Sequence, residues 1–91
     1  MIIVSQGNNI IANFDNITSL DIDRSNGRYI VECNFTNKNN IYLGEYATEE
    51  RAKEVLQEII DLYNKTDCII GIGDSLKQVV NLPKVFEMPK E

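Results

Sequence analysis

The stretch that decides the fold is SLDIDRSNGRYIVECN, residues 19–34, in which two runs of alternating apolar and polar residues flank Asn26-Gly27. Asn-Gly is typical of a two-residue type I′ hairpin loop, which needs positive φ at both positions. This loop would set Ile22 opposite Val31. The apolar side chains then share one face, the inner face, and most polar side chains share the other, the outer face. Turn and alternation agree, so we predict a β-hairpin with one buried and one solvated side.

The pattern continues downstream of this hairpin. The polar loop 36–40 would set Cys33 opposite Leu43 and Phe35 opposite Ile41, which extends the apolar inner face onto a third strand. Because side chains alternate along a strand, the residues between these positions then belong to the outer face. The sequence therefore predicts three consecutive antiparallel strands.

A further hairpin is predicted upstream, around Gly7-Asn8, with Ile3 opposite Ala12. Both of its faces are apolar, so its register is less strongly specified. Together these segments predict an antiparallel β-meander of about five strands in residues 1–46. The strands are expected near 1–5, 10–14, 17–23, 28–35 and 41–46.

A helix is predicted over 48–64. Thr48 is a good N-cap, and the acids Glu49 and Glu50 stand in the first turn, where the helix dipole favours negative charge. Six apolar residues then repeat at helical spacing: Ala52, Val55, Leu56, Ile59, Ile60 and Tyr63. This stripe must be buried, and the inner sheet face is the surface available to it. We therefore predict an α+β fold with one long helix packed on one face of the sheet.

The last third of the chain is less regular. An apolar run at 68–70 precedes a possible short helix from Asp74 or Ser75 through Val80, which Pro83 would end. The alternation of 85–88 predicts a short strand that returns to a sheet edge. Length and the lack of an internal linker predict a single domain, 1–91.

Composition excludes several classes of function. The net charge of −5 is spread evenly along the chain, which disfavours binding to nucleic acid. Its apolar runs are far shorter than the roughly 20 residues of a membrane span. The start MIIVSQ has neither the basic nor the apolar region of a signal peptide, so we expect a cytoplasmic location and two free thiols.

Residues that could carry chemistry are scarce. The chain has no histidine, which excludes Ser-His and Cys-His nucleophile pairs and histidine metal sites. The glycines of 71–75 are better explained by a turn than by a nucleotide-binding loop, since Asp74 would repel a phosphate. Asp21, Asp23 and Glu32 converge on the outer face, where a solvated surface is favoured over a calcium or magnesium site. We therefore expect no catalytic residue, no metal and no cofactor.

The most informative functional feature is aromatic. In the predicted pairing, Tyr42 and Tyr46 lie on the outer face next to Ile30 and Asn34, and form an apolar patch away from the helix. Tyrosine is favoured at protein interfaces because it covers a large area and keeps a polar tip. Three alternatives stay open: the segment 68–88 covers this face, a second copy does, or a different partner does.

The stretches 1–6, 13–17 and 43–56, together with VFEMP at 85–89, resemble a group of short proteins of unknown function from low-GC Gram-positive bacteria and their prophages. In that group the helix passes to the final strand through a short loop, so the resemblance implies that 67–84 is an insertion. It implies a genomic neighbourhood and no activity.

These observations favour a non-enzymatic protein-interaction module that self-associates through the outer sheet face, with a dimer as the expected homo-oligomer. The alternative is a phage-type inhibitor or sponge that binds a host defence protein or a small signalling nucleotide. A bound host molecule that survives purification would distinguish the alternative from self-association. A small enzyme is the third and least favoured class, since a site without histidine would need a carboxylate or lysine cluster in a cleft.

Overall fold

The computed structural model describes residues 1–36, 38–65, 68–72, 76–80 and 84–91, with only the backbone of 38–39, 68–72 and 76–80. It confirms the α+β fold class: one helix packs against a three-stranded antiparallel sheet, and a second small sheet lies beside them. The elements are β1 (Ile2–Val4), β2 (Ile11–Asn13), a short 3-10 helix (Phe14–Asn16), β3 (Ile17–Ser25), β4 (Arg28–Phe35), β5 (Lys38–Tyr46), α1 (Glu49–Tyr63), β6 (Cys68–Ile72), β7 (Leu76–Val80) and β8 (Val85–Glu87).

The central hairpin β3–β4 has the predicted register. Ile22 lies opposite Val31, and Ser25 lies opposite Arg28 at the turn. Asn26 and Gly27 have φ values of 52° and 76°, as a type I′ loop requires. This agreement confirms the assignment of inner and outer faces on these two strands.

The register of β4 and β5 differs from the prediction. Cys33 lies opposite Ile41 and Phe35 opposite Lys38, whereas the sequence predicted Leu43 and Ile41 as their partners. Strand β5 begins at Lys38 instead of the predicted residue 41, so the connection between β4 and β5 is shorter than the predicted five residues. A shorter connection moves every cross-strand pair along β5.

A β-bulge in β5 adds a second change. Val31 pairs with Gly44 and Glu32 pairs with Tyr42, so Leu43 is the extra residue of the longer strand. An extra residue reverses the alternation of everything that follows it. Tyr42 stays on the outer face, but the residues from Gly44 onward exchange faces relative to the prediction.

The bulge moves Tyr46 from the predicted outer face to the inner face. It pairs with Tyr29, points to the inner face and is 1% exposed. Its hydroxyl donates a hydrogen bond to the carbonyl of Pro89 at 2.8 Å. The prediction that Tyr46 lies on the outer face beside Tyr42 is therefore wrong.

The first two strands pair as predicted but belong to a different sheet. Ile3 lies opposite Ala12 in an antiparallel pair, and β8 lies parallel to the other edge of β1 with Phe86 opposite Ile3. The strand order is β2-β1-β8 in this sheet and β3-β4-β5 in the other. The 3-10 helix separates β2 from β3. Its Asp15 N–H donates a hydrogen bond to the Asn13 side chain. The five predicted segments thus form two sheets and not one meander.

Helix α1 begins after Thr48, whose side chain accepts a hydrogen bond from the Arg51 N–H at 3.1 Å. Ala52, Val55 and Ile59 of its apolar stripe are buried where the helix packs on the sheet, as predicted. The prediction is wrong for Ile60 and Tyr63, which are 45% and 48% exposed. The buried core lies between α1, the inner face and β1. Its members are Ile3, Ala12, Val31, Cys33, Leu43, Tyr46, Ala52, Val55, Ile59 and Met88.

Strands β6 and β7 form a two-stranded antiparallel sheet, in which Cys68 pairs with Val80 and Ile72 with Leu76. The short helix predicted through Val80 is therefore wrong over 76–80, because five residues with two adjacent β-branched valines favour a strand. Residues 73–75, where that helix was expected to begin, lie outside the described part of the chain.

Candidate interaction surface

The outer face of β3–β4–β5 holds three of the four residues predicted to form an interaction patch. Ile30 lies opposite Asp23 and Glu45, and Asn34 lies opposite Ser19. Tyr42 lies opposite Glu32. Tyr46 is absent from this surface, as described above. The three remaining residues differ sharply in exposure, since Ile30 is 7% exposed and Tyr42 is 57% exposed.

Asn34 belongs to a polar network and not to an apolar patch. Its amide donates hydrogen bonds to the Ser19 hydroxyl at 2.7 Å and to one carboxylate oxygen of Asp21 at 2.9 Å. Ser19 donates to the same Asp21 oxygen at 3.2 Å. Asn34 therefore holds the Asp21 carboxylate in place, a role that strand alternation alone does not reveal.

Glu32 is an unusual residue for an outer sheet face because it is 5% exposed. Its Oε1 accepts a hydrogen bond from the Asn40 amide at 2.9 Å, but its buried Oε2 has no hydrogen-bond partner among the described residues. Burial raises the pKa of this carboxyl group, the charges of Asp23 and Asp21 raise it further, and the Asn40 bond opposes them. Buried polar atoms without a partner are rare and destabilising, so this one needs an explanation.

A groove of about 360 Å³ separates the outer face from the loop between β1 and β2. It is lined by Ser5, Gln6, Gly7, Asn9, Ser25, Asn26, Ile30, Tyr42, Leu43, Gly44 and Glu45. Among these lining residues the charged side chain is Glu45, which forms an exposed ion pair with Arg28 at 3.0 Å. The groove therefore offers hydroxyl and amide groups beside an aromatic ring.

Gln6 connects this groove to the end of the described chain. Its Oε1 accepts a hydrogen bond from the Glu45 N–H, while its Nε2 donates to the carbonyls of Pro89 and Lys90. Phe86 packs against the core, and Met88 belongs to it. The described end of the chain therefore packs against the core, and Tyr42 keeps its exposure.

The described residues contain no group of three or more acidic or cysteine side chains placed to hold a metal ion. Among the same residues, no helix combines the length and the apolar character needed to cross a membrane. Cys33 is buried and free, and burial raises the pKa of its thiol. The residue thus packs in the core, as its alternation predicted.

The chain was compared with protein-family models, curated proteins and solved structures, and none of the three comparisons finds a match. The resemblance to short proteins of low-GC Gram-positive bacteria therefore stays a prediction.

Proposed function

We propose that this chain is a non-enzymatic protein-interaction module that binds its partner through the outer face of β3–β4–β5. The observation that carries the proposal is Tyr42, which is 57% exposed beside the groove that Ile30 also lines. Tyrosine contributes large contact area with little conformational freedom to lose, and is enriched where proteins meet. Within this face Ile30 and Glu32 are buried, whereas the Tyr42 side chain is accessible to a partner.

The chemistry of the groove supports binding over catalysis. Its lining groups are mainly hydroxyls and amides, which form hydrogen bonds but do not exchange protons near neutral pH. Its charged member, Glu45, is paired with Arg28. A cytoplasmic location belongs to the same proposal, since the buried thiol of Cys33 is free and a reducing compartment keeps thiols free.

The charge of the outer face favours a different protein over a second copy. Its described acids outnumber its described bases, with Asp21, Asp23, Glu32 and Glu45 against Arg28. A two-fold symmetric dimer would bring the same acids face to face, which is unfavourable. The same charges disfavour a signalling nucleotide, whereas a host protein with a basic surface fits both this proposal and the inhibitor alternative.

The experiment is a native mass spectrum of the untagged protein, purified gently from its own host. We expect a complex that is lost in Tyr42→Ser and kept in Ile60→Ser, which removes a side chain of similar exposure from the helix. Added mass from another protein supports the charge argument, and a multiple of 10.4 kDa supports self-association. A complex unchanged in Tyr42→Ser, or no complex, contradicts the proposal.

A further inference from the structure

We propose that the outer face contains a site for an arginine side chain of a partner protein, formed by Glu32, Asp21 and the ring of Tyr42. This inference rests on the proposed function and names the chemistry that its surface recognises. Three features around Glu32 support the site: a buried oxygen, a neighbouring carboxylate and an aromatic ring.

The first step is the unpartnered oxygen. Oε2 of Glu32 is buried and accepts no hydrogen bond from the described part of the chain, while Oε1 already accepts one from Asn40. A buried carboxylate oxygen in this state loses hydration without compensation, which is destabilising. A charged donor arriving from outside would supply the missing bond, and such charge-assisted bonds are the strong ones. Because Oε2 is buried, such a donor must displace the groups that cover it.

The second step is the neighbouring carboxylate. Asp21 lies directly opposite Glu32 on β3, so two like charges share one side of the sheet. Asp21 is held in place by hydrogen bonds from Ser19 and Asn34. A cation placed between the two acids replaces their repulsion by two attractions. Because the network already fixes Asp21, little side-chain freedom is lost on binding.

The third step is the aromatic ring. Tyr42 lies opposite Glu32 on the other flanking strand, so Glu32 stands between an acid and an exposed ring. An arginine side chain can bond carboxylates with its planar donors and stack on the ring with the same group. The chain already shows such a contact elsewhere, since the Arg24 guanidinium lies 5.7 Å from the centre of the Tyr29 ring.

An arginine of a protein fits these neighbours better than a metal ion. The described residues contain no group of three metal-ligating side chains, and a metal would gain nothing from an aromatic ring. A second copy of the chain would bring its own acids to the same place. The occupant is therefore a basic segment of a different protein.

The test uses the full chain and a five-residue peptide that alternates threonine and arginine. In a second peptide, citrulline replaces each arginine, which keeps the shape of the side chain and removes its charge. Binding is followed at low salt by the NMR shifts of the backbone amides. We expect the arginine peptide to shift the signals of Asp21, Glu32 and Tyr42, and the citrulline peptide to bind roughly tenfold more weakly.

Two variants locate the effect. Glu32→Gln should weaken binding of the arginine peptide roughly tenfold, whereas Glu50→Gln, which removes the same charge from the exposed first turn of α1, should leave it unchanged. Equal binding by Glu32→Gln and the parent, equal binding of the two peptides, or shifts spread over the whole surface would each overturn the inference. If these occur while Tyr42→Ser still abolishes the native complex, the inference fails and the proposed function stands. A complex that does not depend on Tyr42 overturns the proposed function itself.

Discussion

The two faces of the β3–β4–β5 sheet differ in polarity and in burial. The inner face is apolar and covered by α1, and its central residues Val31 and Cys33 are fully buried. The outer face carries a polar network, an exposed tyrosine and a buried carboxylate oxygen that has no partner in the part of the chain that the structure describes. The inner face stabilises the fold by burying apolar side chains. The outer face contains polar groups whose hydrogen bonds the fold does not fully provide. Such groups are typical of surfaces kept for binding.

The contrast is clearest in two tyrosines of one strand. Tyr46 is 1% exposed and bonded to Pro89, whereas Tyr42, four residues earlier, is 57% exposed. In a regular strand, residues four apart share a face. The bulge at Leu43 separates them, so that Tyr46 is packed in the core and Tyr42 is exposed on the outer face.

The largest expected effect comes from truncating these two tyrosines. Tyr46→Ala should lower the free energy of unfolding by about 3 to 5 kcal/mol, because it removes a buried ring and leaves a cavity. Tyr42→Ala should change it by no more than about 0.5 kcal/mol. Urea unfolding curves of the two variants measure both values. Similar losses for the two variants would break the distinction between the faces.

A second test concerns the glycine that follows the bulge. A Cβ atom at Gly44 would lie 2.9 Å from the Tyr46 hydroxyl oxygen and 3.2 Å from the Met88 Cε. Tyr46 is fully buried and its hydroxyl is bonded, so it moves with difficulty. Gly44→Ala should therefore lower the free energy of unfolding by about 1 to 3 kcal/mol. The control is Gly7→Ala, whose Cβ would meet only the exposed Asn9 side chain. Equal unfolding midpoints for the two variants would contradict the close packing behind Tyr46.

The central hairpin was predictable because its information is local. The turn Asn26-Gly27 and the alternation around it lie within one short stretch, and both specify the same register. The bulge was missed because alternation assumes one residue per position. Gly44 was the available signal, since a glycine inside a strand often marks a bulge. The parallel pairing of β8 with β1 joins residues far apart in the chain, so no local pattern specified it.

The candidate site was predictable only in part. Alternation placed Ile30, Asn34 and Tyr42 on the outer face, and it identified the convergence of acids there. It could not show that Glu32 is buried, because burial depends on how side chains from different parts of the chain pack together. The hydrogen bonds of Asn34 and Asn40 are equally invisible in sequence, since an asparagine on a strand has many possible partners.

Substitution of a buried residue usually lowers the stability of a protein, but for Glu32 we expect the opposite. Glu32→Gln should raise the free energy of unfolding by about 1 kcal/mol at about pH 7, because it removes a buried charge without a full set of partners. If Glu32 served only to stabilise the fold, this substitution would instead lower the free energy of unfolding. Thermal and urea unfolding of the parent and the variant measure the difference.

The pH dependence of that difference has a definite sign. The pKa of Glu32 is raised above its usual 4.5, so the folded protein holds this proton more tightly than the unfolded chain. Folding therefore favours the protonated form of Glu32, and this stabilising contribution is complete below pH 4.5 and is lost as the pH rises through the raised pKa. The advantage of Glu32→Gln should consequently be small at low pH and grow toward neutrality. An advantage that is constant across this range would contradict the assignment to Glu32.

The smallest change in stability is expected for the ion pair of Arg28 and Glu45, which lies on the outer face where Glu45 lines the groove. Both side chains are about half exposed, 48% and 52%, so water and salt screen the pair. Arg28→Gln should change the free energy of unfolding by less than about 0.5 kcal/mol. The same variant makes the outer face more negative, so at low salt the arginine peptide should bind as tightly as to the parent or about twofold more tightly. Unfolding curves and the amide titration together separate these effects. A stability loss above about 1 kcal/mol would show that the outer face, too, is held together by its charges, and the contrast between the two faces would narrow.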